Sequence, residues 1–161
     1  MTTTPEADWL DQWVLGWGDA IVRYAFVLTA DYHAAQDIAQ DTFVRLHQFH
    51  ERHPDRAVVP GWLYTTARRL CFTTNRRQAR WISLVGHEPT SGDESVWVGP
   101  AFREMISQLG VLDRECVWLF YYCDWTTDEI ARHVGRPAST IRGRLMRARQ
   151  HLREMWGDSD G

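Results

Sequence analysis

Apolar residues recur along this chain with a helical period and nowhere with strict alternation. Trp9, Leu10, Trp13, Val14, Trp17, Ile21, Tyr24, Ala25 and Leu28 keep that period, which predicts a helix over about Ala7 to Thr29. After Asp31 a second helix is predicted over about His33 to His50. Ala35, Ile38, Ala39, Thr42, Phe43, Leu46 and Phe49 would face inward, with Asp37, Gln40, Asp41, Val44 and Gln48 on the opposite side. A third helix opens near Pro60 and runs to about Arg80, burying Leu63, Ala67, Leu70 and Cys71. From Ile82 to Gly99 the periodicity collapses into a stretch rich in Gly, Ser and Pro, which reads as a linker. Phe102, Met105, Ile106 and Leu109, then Val117, Phe120 and Tyr121, rebuild a helical core beyond it. Strand patterns and internal repeats are both missing from the sequence.

The segment Thr126 to Arg153, TTDEIARHVGRPASTIRGRLMRARQHLR, is the most informative part of the pattern. Thr126 followed by Glu129 is a capping-box spacing: the hydroxyl accepts from the third backbone N–H, and the carboxylate reaches back to the cap. A helix is therefore expected from about Thr127. Ile130, Ala131 and Val134 supply its apolar positions, Gly135 the permissive stop, and Pro137 suits the first turn of the next helix. In that second helix Ile141, Leu145, Ala148 and Leu152 form a buried stripe, leaving Arg142, Arg144, Arg147, Arg149 and Arg153 on the remaining surface. Counting Arg136, the second helix carries six arginines as far as Arg153 and no acid. Two short helices, a tight turn and a basic second helix are the layout of a helix-turn-helix aimed at DNA, whose guanidiniums pair with phosphates or with guanine edges. The expected fold class is all-α: two small helical domains, residues 1–81 and 100–161, joined by a flexible linker over 82–99, with the helix-turn-helix in the C-terminal one.

Charge changes this picture once it is mapped. The formal net charge is −3, and all 18 basic residues are Arg. Acids outnumber arginines as far as Asp55, whereas Trp62 to Arg80 holds Arg68, Arg69, Arg76, Arg77 and Arg80 with no acid. A weakly acidic average thus conceals two basic patches, the usual electrostatic footprint of nucleic-acid binding. On the third helix Trp62, Thr65, Arg69, Phe72 and Arg76 lie near one face. Aromatic planes among guanidiniums suit stacked bases and a sugar-phosphate backbone; they suit a capped core with solvated arginines as well. The acidic and amide-bearing side of the second helix would repel DNA and suit a basic protein partner. Trp9, Trp13 and Trp17 suit either a core or a partner-binding stripe.

Other chemistry finds little support. Cys71, Cys116 and Cys123 lie far apart, with neither disulfide-framework nor zinc-ligand spacing, which fits a reducing cytoplasm. His47, His50 and His53 recur at helical spacing but lack a cysteine or carboxylate at ligand distance, so no metal is expected. No nucleophile with its base and no phosphate-cradling glycine loop is present, so neither an enzyme nor a cofactor is expected. The N-terminal stretch MTTTPEADWLDQW is acidic without an apolar signal region, and no later run reaches membrane-spanning length, so a soluble protein that is not exported is expected.

At this point the chain resembles the extracytoplasmic-function (ECF) sigma factors, small two-domain initiation factors of bacterial RNA polymerase. The resemblance rests on QDIAQDTFVRLHQF in the second helix, PGWLYTTARRL in the third, and LDRECVWLFYYCDWTTDEIARHVGRPASTIRGRLMRARQHLR at the end, in that order. It covers nearly everything from Asp8 to Trp156. It implies that Asp37, Gln40 and Asp41 grip a coiled coil on the largest catalytic subunit of core RNA polymerase. It also implies that the stretch from about Arg52 to Arg69 captures flipped bases of the minus-ten element. Trp62, Arg68 and Arg69, with Phe72 and Arg76 on the same helix, are the candidate minus-ten residues. The C-terminal domain would read the duplex minus-thirty-five element through Ser139, Thr140, Arg142, Gly143, Arg144 and Arg147, while the linker passes through the RNA exit path. Many relatives are held silent by an anti-sigma protein, and exposed aromatics would fit such a partner. Two positions depart from the family pattern: Arg69 stands where Asn is frequent, and Gly143 where a small hydroxyl residue is usual. The competing reading is a stand-alone helix-turn-helix regulator whose N-terminal half dimerises or senses a ligand.

Overall fold

Residues 5–85 and 99–157 are described by the computed structural model, and among them every regular element is helical. The helices are α1 (Pro5–Thr29), α2 (Tyr32–Arg52), α3 (Pro60–Val85), α4 (Pro100–Gln108), α5 (Val111–Val117), a π-helical turn (Trp118–Tyr122), α6 (Thr127–Val134) and α7 (Ala138–Gly157). They form two units with separate cores, α1 to α3 and α4 to α7.

In the first unit each helix packs against the other two. Ile21, Tyr24, Ala25, Val27 and Leu28 of α1 meet Ala35, Ile38, Ala39 and Leu46 of α2 and Leu63, Ala67 and Cys71 of α3, all buried. Only Ala30 and Asp31 separate α1 from α2. Ala30 takes a left-handed φ of 55°, and the Asp31 carboxylate accepts the Ala34 N–H at 3.1 Å as an N-cap. Asn75 of α3 donates its amide to the Leu28 carbonyl at 3.1 Å. That carbonyl lies in the last turn of α1, where the helix itself supplies no donor, so the bond ties α3 to the end of α1.

Several expectations for this unit change. α3 runs on to Val85, because no breaker follows Arg80 until Gly86; residues 82–85 are therefore helix, not linker. The remainder of the expected linker, 86–98, lies outside the described residues. Val14 is 42% exposed rather than core, and Leu70 and Phe49 are half-buried along a groove between α2 and α3. Tyr64 takes the buried place instead, tilted against Tyr24 with ring centroids 5.0 Å apart. The tryptophans are flanking core: Trp9 stacks on His50 at 4.0 Å, and Trp17 meets Tyr64 edge-on at 6.4 Å.

In the second unit α7 packs against α5 and α6, with Ile141, Leu145, Ala148 and Leu152 buried as the stripe requires. The Thr126 hydroxyl accepts the Glu129 N–H at 3.1 Å, and the Glu129 carboxylate accepts the Thr126 N–H at 3.3 Å, so the capping box is complete. Gly135 ends α6 at φ 70°. α7 starts one residue after Pro137, whose carbonyl accepts from Thr140 and Ile141. The register expected for Tyr121 fails, and the π-helical turn is the reason. Its wide bond, Cys123 N–H to Trp118 carbonyl at 3.2 Å, admits an extra residue and advances the side-chain phase by about 100°. Trp118 and Leu119 consequently turn inward, while Tyr121 and Tyr122 are 45% and 60% exposed. Met105 and Ile106, expected in this core, have side chains outside those described. Arg114 is buried within the unit, where its Nη1 donates to the Leu109 carbonyl at 3.2 Å. Loss of water around the guanidinium lowers its pKa, though not enough to discharge an arginine.

Replacing Thr126 by Ala should destabilise the C-terminal unit by about 1 kcal/mol, whereas Ser should retain most of the cap. Urea denaturation followed by circular dichroism measures both; equal stability of the Ala and wild-type proteins would count against the capping box.

Candidate polymerase and nucleic-acid interfaces

The outer arc of α2 carries Asp37, Gln40 and Asp41, but α2 is a ridge between two grooves and divides them. Asp37 and Asp41, with Arg45 and Gln48, border the groove toward α3, a space of about 700 Å³. Gln40 and Val44 border an apolar groove toward α1, beside Leu10, Val14 and Leu15. Asp41 accepts from Arg45 Nε at 3.3 Å, an exposed pair one helical turn apart whose attraction is largely spent on water. Asp37 is exposed. The α1 groove is not legible in the sequence, where Val14 reads as part of the core stripe; Leu15, off that stripe, is 86% exposed.

The minus-ten candidates on α3 separate as well. Trp62 is half-buried against Phe49 of α2, with ring centroids 5.3 Å apart, and shares the α2–α3 groove with exposed Arg69. Arg68 and Phe72 lie on another arc and engage each other, the guanidinium carbon sitting 4.5 Å from the ring centroid. Arg76 is exposed and outside the groove lining, where Arg77 stands instead. Arg52 and His53, from the end of α2, complete the groove beside Trp62. Only the packing of α2 on α3 makes these residues neighbours. The three regularly spaced histidines are used singly: His47 Nε2 lies 3.2 Å from Glu51, His50 stacks on Trp9, and His53 leans on Phe49 at 4.9 Å.

On α7 the structure keeps a basic face and sorts it. Arg142, Arg147, Arg149 and Arg153 are exposed, as is Ser139 in the first turn, with Thr140 half-buried beside it. Gly143 stands in open space, since a methyl added there meets no heavy atom within 4 Å. Met146 shares this face at 62% exposure, an apolar side chain among guanidiniums that sequence reading passed over because the apolar stripe was already accounted for. Arg144 differs from its neighbours. Its Nη1 donates to Asp113 Oδ1 of α5 at 2.9 Å.

Two comparisons with known families follow this division. Residues 14–81 match Sigma-70 region 2, and residues 100–152 match Sigma-70 region 4. The class is thus a two-region sigma factor of RNA polymerase. The chain is 33% identical over 144 residues to the ECF RNA polymerase sigma factor SigL of Mycobacterium tuberculosis, a match covering 81% of this chain and 79% of SigL. It is 24% identical to SigM of Bacillus subtilis, covering 84% and 88% of the two chains. It belongs to the ECF RNA polymerase sigma factor family, and so is an alternative sigma factor that directs promoter recognition and transcription initiation. The family is one of initiation factors, not of enzymes. The fold is shared with the sigma factor RpoE in complex with the anti-sigma factor NepR from Bartonella quintana, at TM-score 0.73 and 21% identity over 91% of this chain and 96% of RpoE. It is shared also with CnrH in complex with the cytosolic domain of CnrY, at TM-score 0.64 and 23% identity over 94% and 89%. Among the described residues no helix is long and apolar enough to cross a membrane.

Because the space at Gly143 is open, Gly143→Ala should raise helix stability by about 1 kcal/mol. Calorimetry of the full chain should show a higher melting temperature for the C-terminal unit; a lower one would mean that the glycine is needed for the fold.

Proposed function

We propose that the chain divides its work between an N-terminal polymerase-binding and strand-opening domain, carried by α1 to α3, and a C-terminal duplex-reading domain, carried by α4 to α7, with the segment between Val85 and Pro100 as the connection. The observation that supports this most is the basic outer face of α7, which carries no acid from Ser139 to Arg153, on a capped helix-turn-helix, with an acidic face on α2. Like charges repel the α2 face from DNA, which leaves Asp37, Gln40 and Asp41 for a basic protein surface on core polymerase.

Minus-ten recognition is assigned to the α2–α3 side of the first unit. Trp62 and Arg69 act in the groove, Arg68 and Phe72 on the neighbouring arc, and Arg76 along the backbone path. Extruding a base costs a few kcal/mol, and stacking on a preformed aromatic wall offsets much of that. Arg69 replaces a frequent amide, so base capture here relies on a charged planar group rather than on amide hydrogen bonds. Minus-thirty-five reading is assigned to Ser139, Thr140, Arg142, Gly143 and Arg147, where the first turn of α7 meets the groove. Arg144 belongs to the same helix but is held by Asp113.

Neither surface needs high affinity alone. Held together by polymerase, the second contact forms at a raised effective concentration. The protein performs no chemistry itself, works in the cytoplasm where its three cysteines remain thiols, and is a target for an anti-sigma protein, as RpoE and CnrH are bound by NepR and CnrY.

Run-off transcription on fragmented genomic DNA with core polymerase should yield new start sites only when the protein is added. Double charge reversal, Asp37→Arg with Asp41→Arg, should abolish co-purification with core polymerase and leave the circular dichroism spectrum unchanged; undiminished co-purification would refute the α2 assignment. Arg147→Ala should cost on the order of 1 to 3 kcal/mol at the upstream element if it reads a base, and an equal loss on every sequence would make it a phosphate contact.

A further inference from the structure

The arginines of α7 occupy two chemical situations. Arg142 and Arg147 are exposed, whereas Arg144 forms an ion pair with Asp113 in which each side chain is only 30% exposed. The pair spans 31 residues and joins the first turn of α5 to the middle of α7. The Nε of Arg144 is buried and has no hydrogen-bond partner. Its stem therefore lies against the protein, and the guanidinium edge containing Nε is closed to an outside acceptor. A guanidinium reads guanine or clamps phosphate by presenting two N–H groups along one edge. With the Nε edge buried, only the edge formed by Nη1 and Nη2 is left to Arg144, and Asp113 competes for it at Nη1.

We propose that Asp113 is a positioning residue for promoter reading: through Arg144 it fixes the roll of α7 about its own axis, and Arg144 itself does not touch DNA. The apolar stripe alone constrains that roll loosely, since methyl and methylene groups pack at many small rotations. A directed charge-assisted bond to a neighbouring helix selects one of them. The residues that do reach DNA then leave the surface at a fixed angle. This inference rests on the assignment of α7 as the duplex-reading helix.

The test uses holoenzyme assembled from the full chain and core polymerase, titrated onto a duplex promoter fragment and onto the same fragment with its upstream element scrambled, across a series of KCl concentrations. Asp113→Ala and Arg144→Met should each lower the ratio of promoter to scrambled affinity by about ten-fold, the size expected when one base-reading side chain is misplaced. The double variant should be impaired no more than either single one. The slope of log affinity against log salt should be unchanged in Arg144→Met, because an arginine removed from a phosphate would lower it by about 0.9. A slope that falls in Arg144→Met would place Arg144 on a phosphate and overturn the proposal, as would an unchanged ratio in Asp113→Ala. Should the Ala variant melt early, Asp113→Asn keeps the shape and removes the charge; it must still lower the ratio. If Arg147→Ala changes neither ratio nor slope, the assignment of α7 falls, and this inference with it. If only the Asp113 and Arg144 variants behave like wild type, the assignment stands and the inference alone is refuted.

Discussion

A helix packed in a small helical unit buries one stripe, and everything a partner can touch is what that stripe leaves outside. In α7 the buried set Ile141, Leu145, Ala148 and Leu152 occupies one side, so Ser139, Arg142, Gly143, Met146 and Arg147 are delivered to the other by helical geometry alone. The same constraint operates in α2, where Ala35, Ile38, Ala39, Thr42 and Leu46 go inward and Asp37 and Gln40 outward. Opposite electrostatic signs on two outer faces thus need no dedicated scaffold. They follow from which residues fill the positions that packing does not claim.

This explains how a chain of net charge −3 can work on a polyanion. Coulomb forces between exposed groups fade over roughly 8 Å at physiological salt, so DNA responds to the nearest face rather than to the total. The exclusive use of arginine suits that arrangement. A planar guanidinium stacks on rings and pairs with carboxylates, and the structure uses it in both ways, as Arg68 over Phe72 and Arg144 onto Asp113.

The regular parts of this fold are legible in the sequence because each is set by local rules. Thr126 and Glu129 announce the start of α6 through hydrogen bonds three residues apart, Gly135 announces its end, and the stripe of α7 is a direct consequence of helical period. What stays hidden depends on packing between helices. An uninterrupted α-helix would put Tyr121 inside, and no local signal marks the π-helical turn that carries it out. The two grooves beside α2 are likewise products of how α1 and α3 lie against it, so nothing in the chain order groups Arg52, His53 and Leu15 with their neighbours. Arg144 looks like every other arginine of its helix until the fold sets Asp113 next to it.

The two-residue joint between α1 and α2 carries a mechanical implication. Ala30 bends the chain in a conformation that most side chains avoid, Asp31 starts the following helix immediately, and the Asn75 amide holds the carbonyl just upstream. No slack is left at this elbow. A docking partner consequently meets a surface that is already shaped, so little disorder has to be frozen out when the complex forms, and an added residue at position 30 would misalign α2 along its whole length.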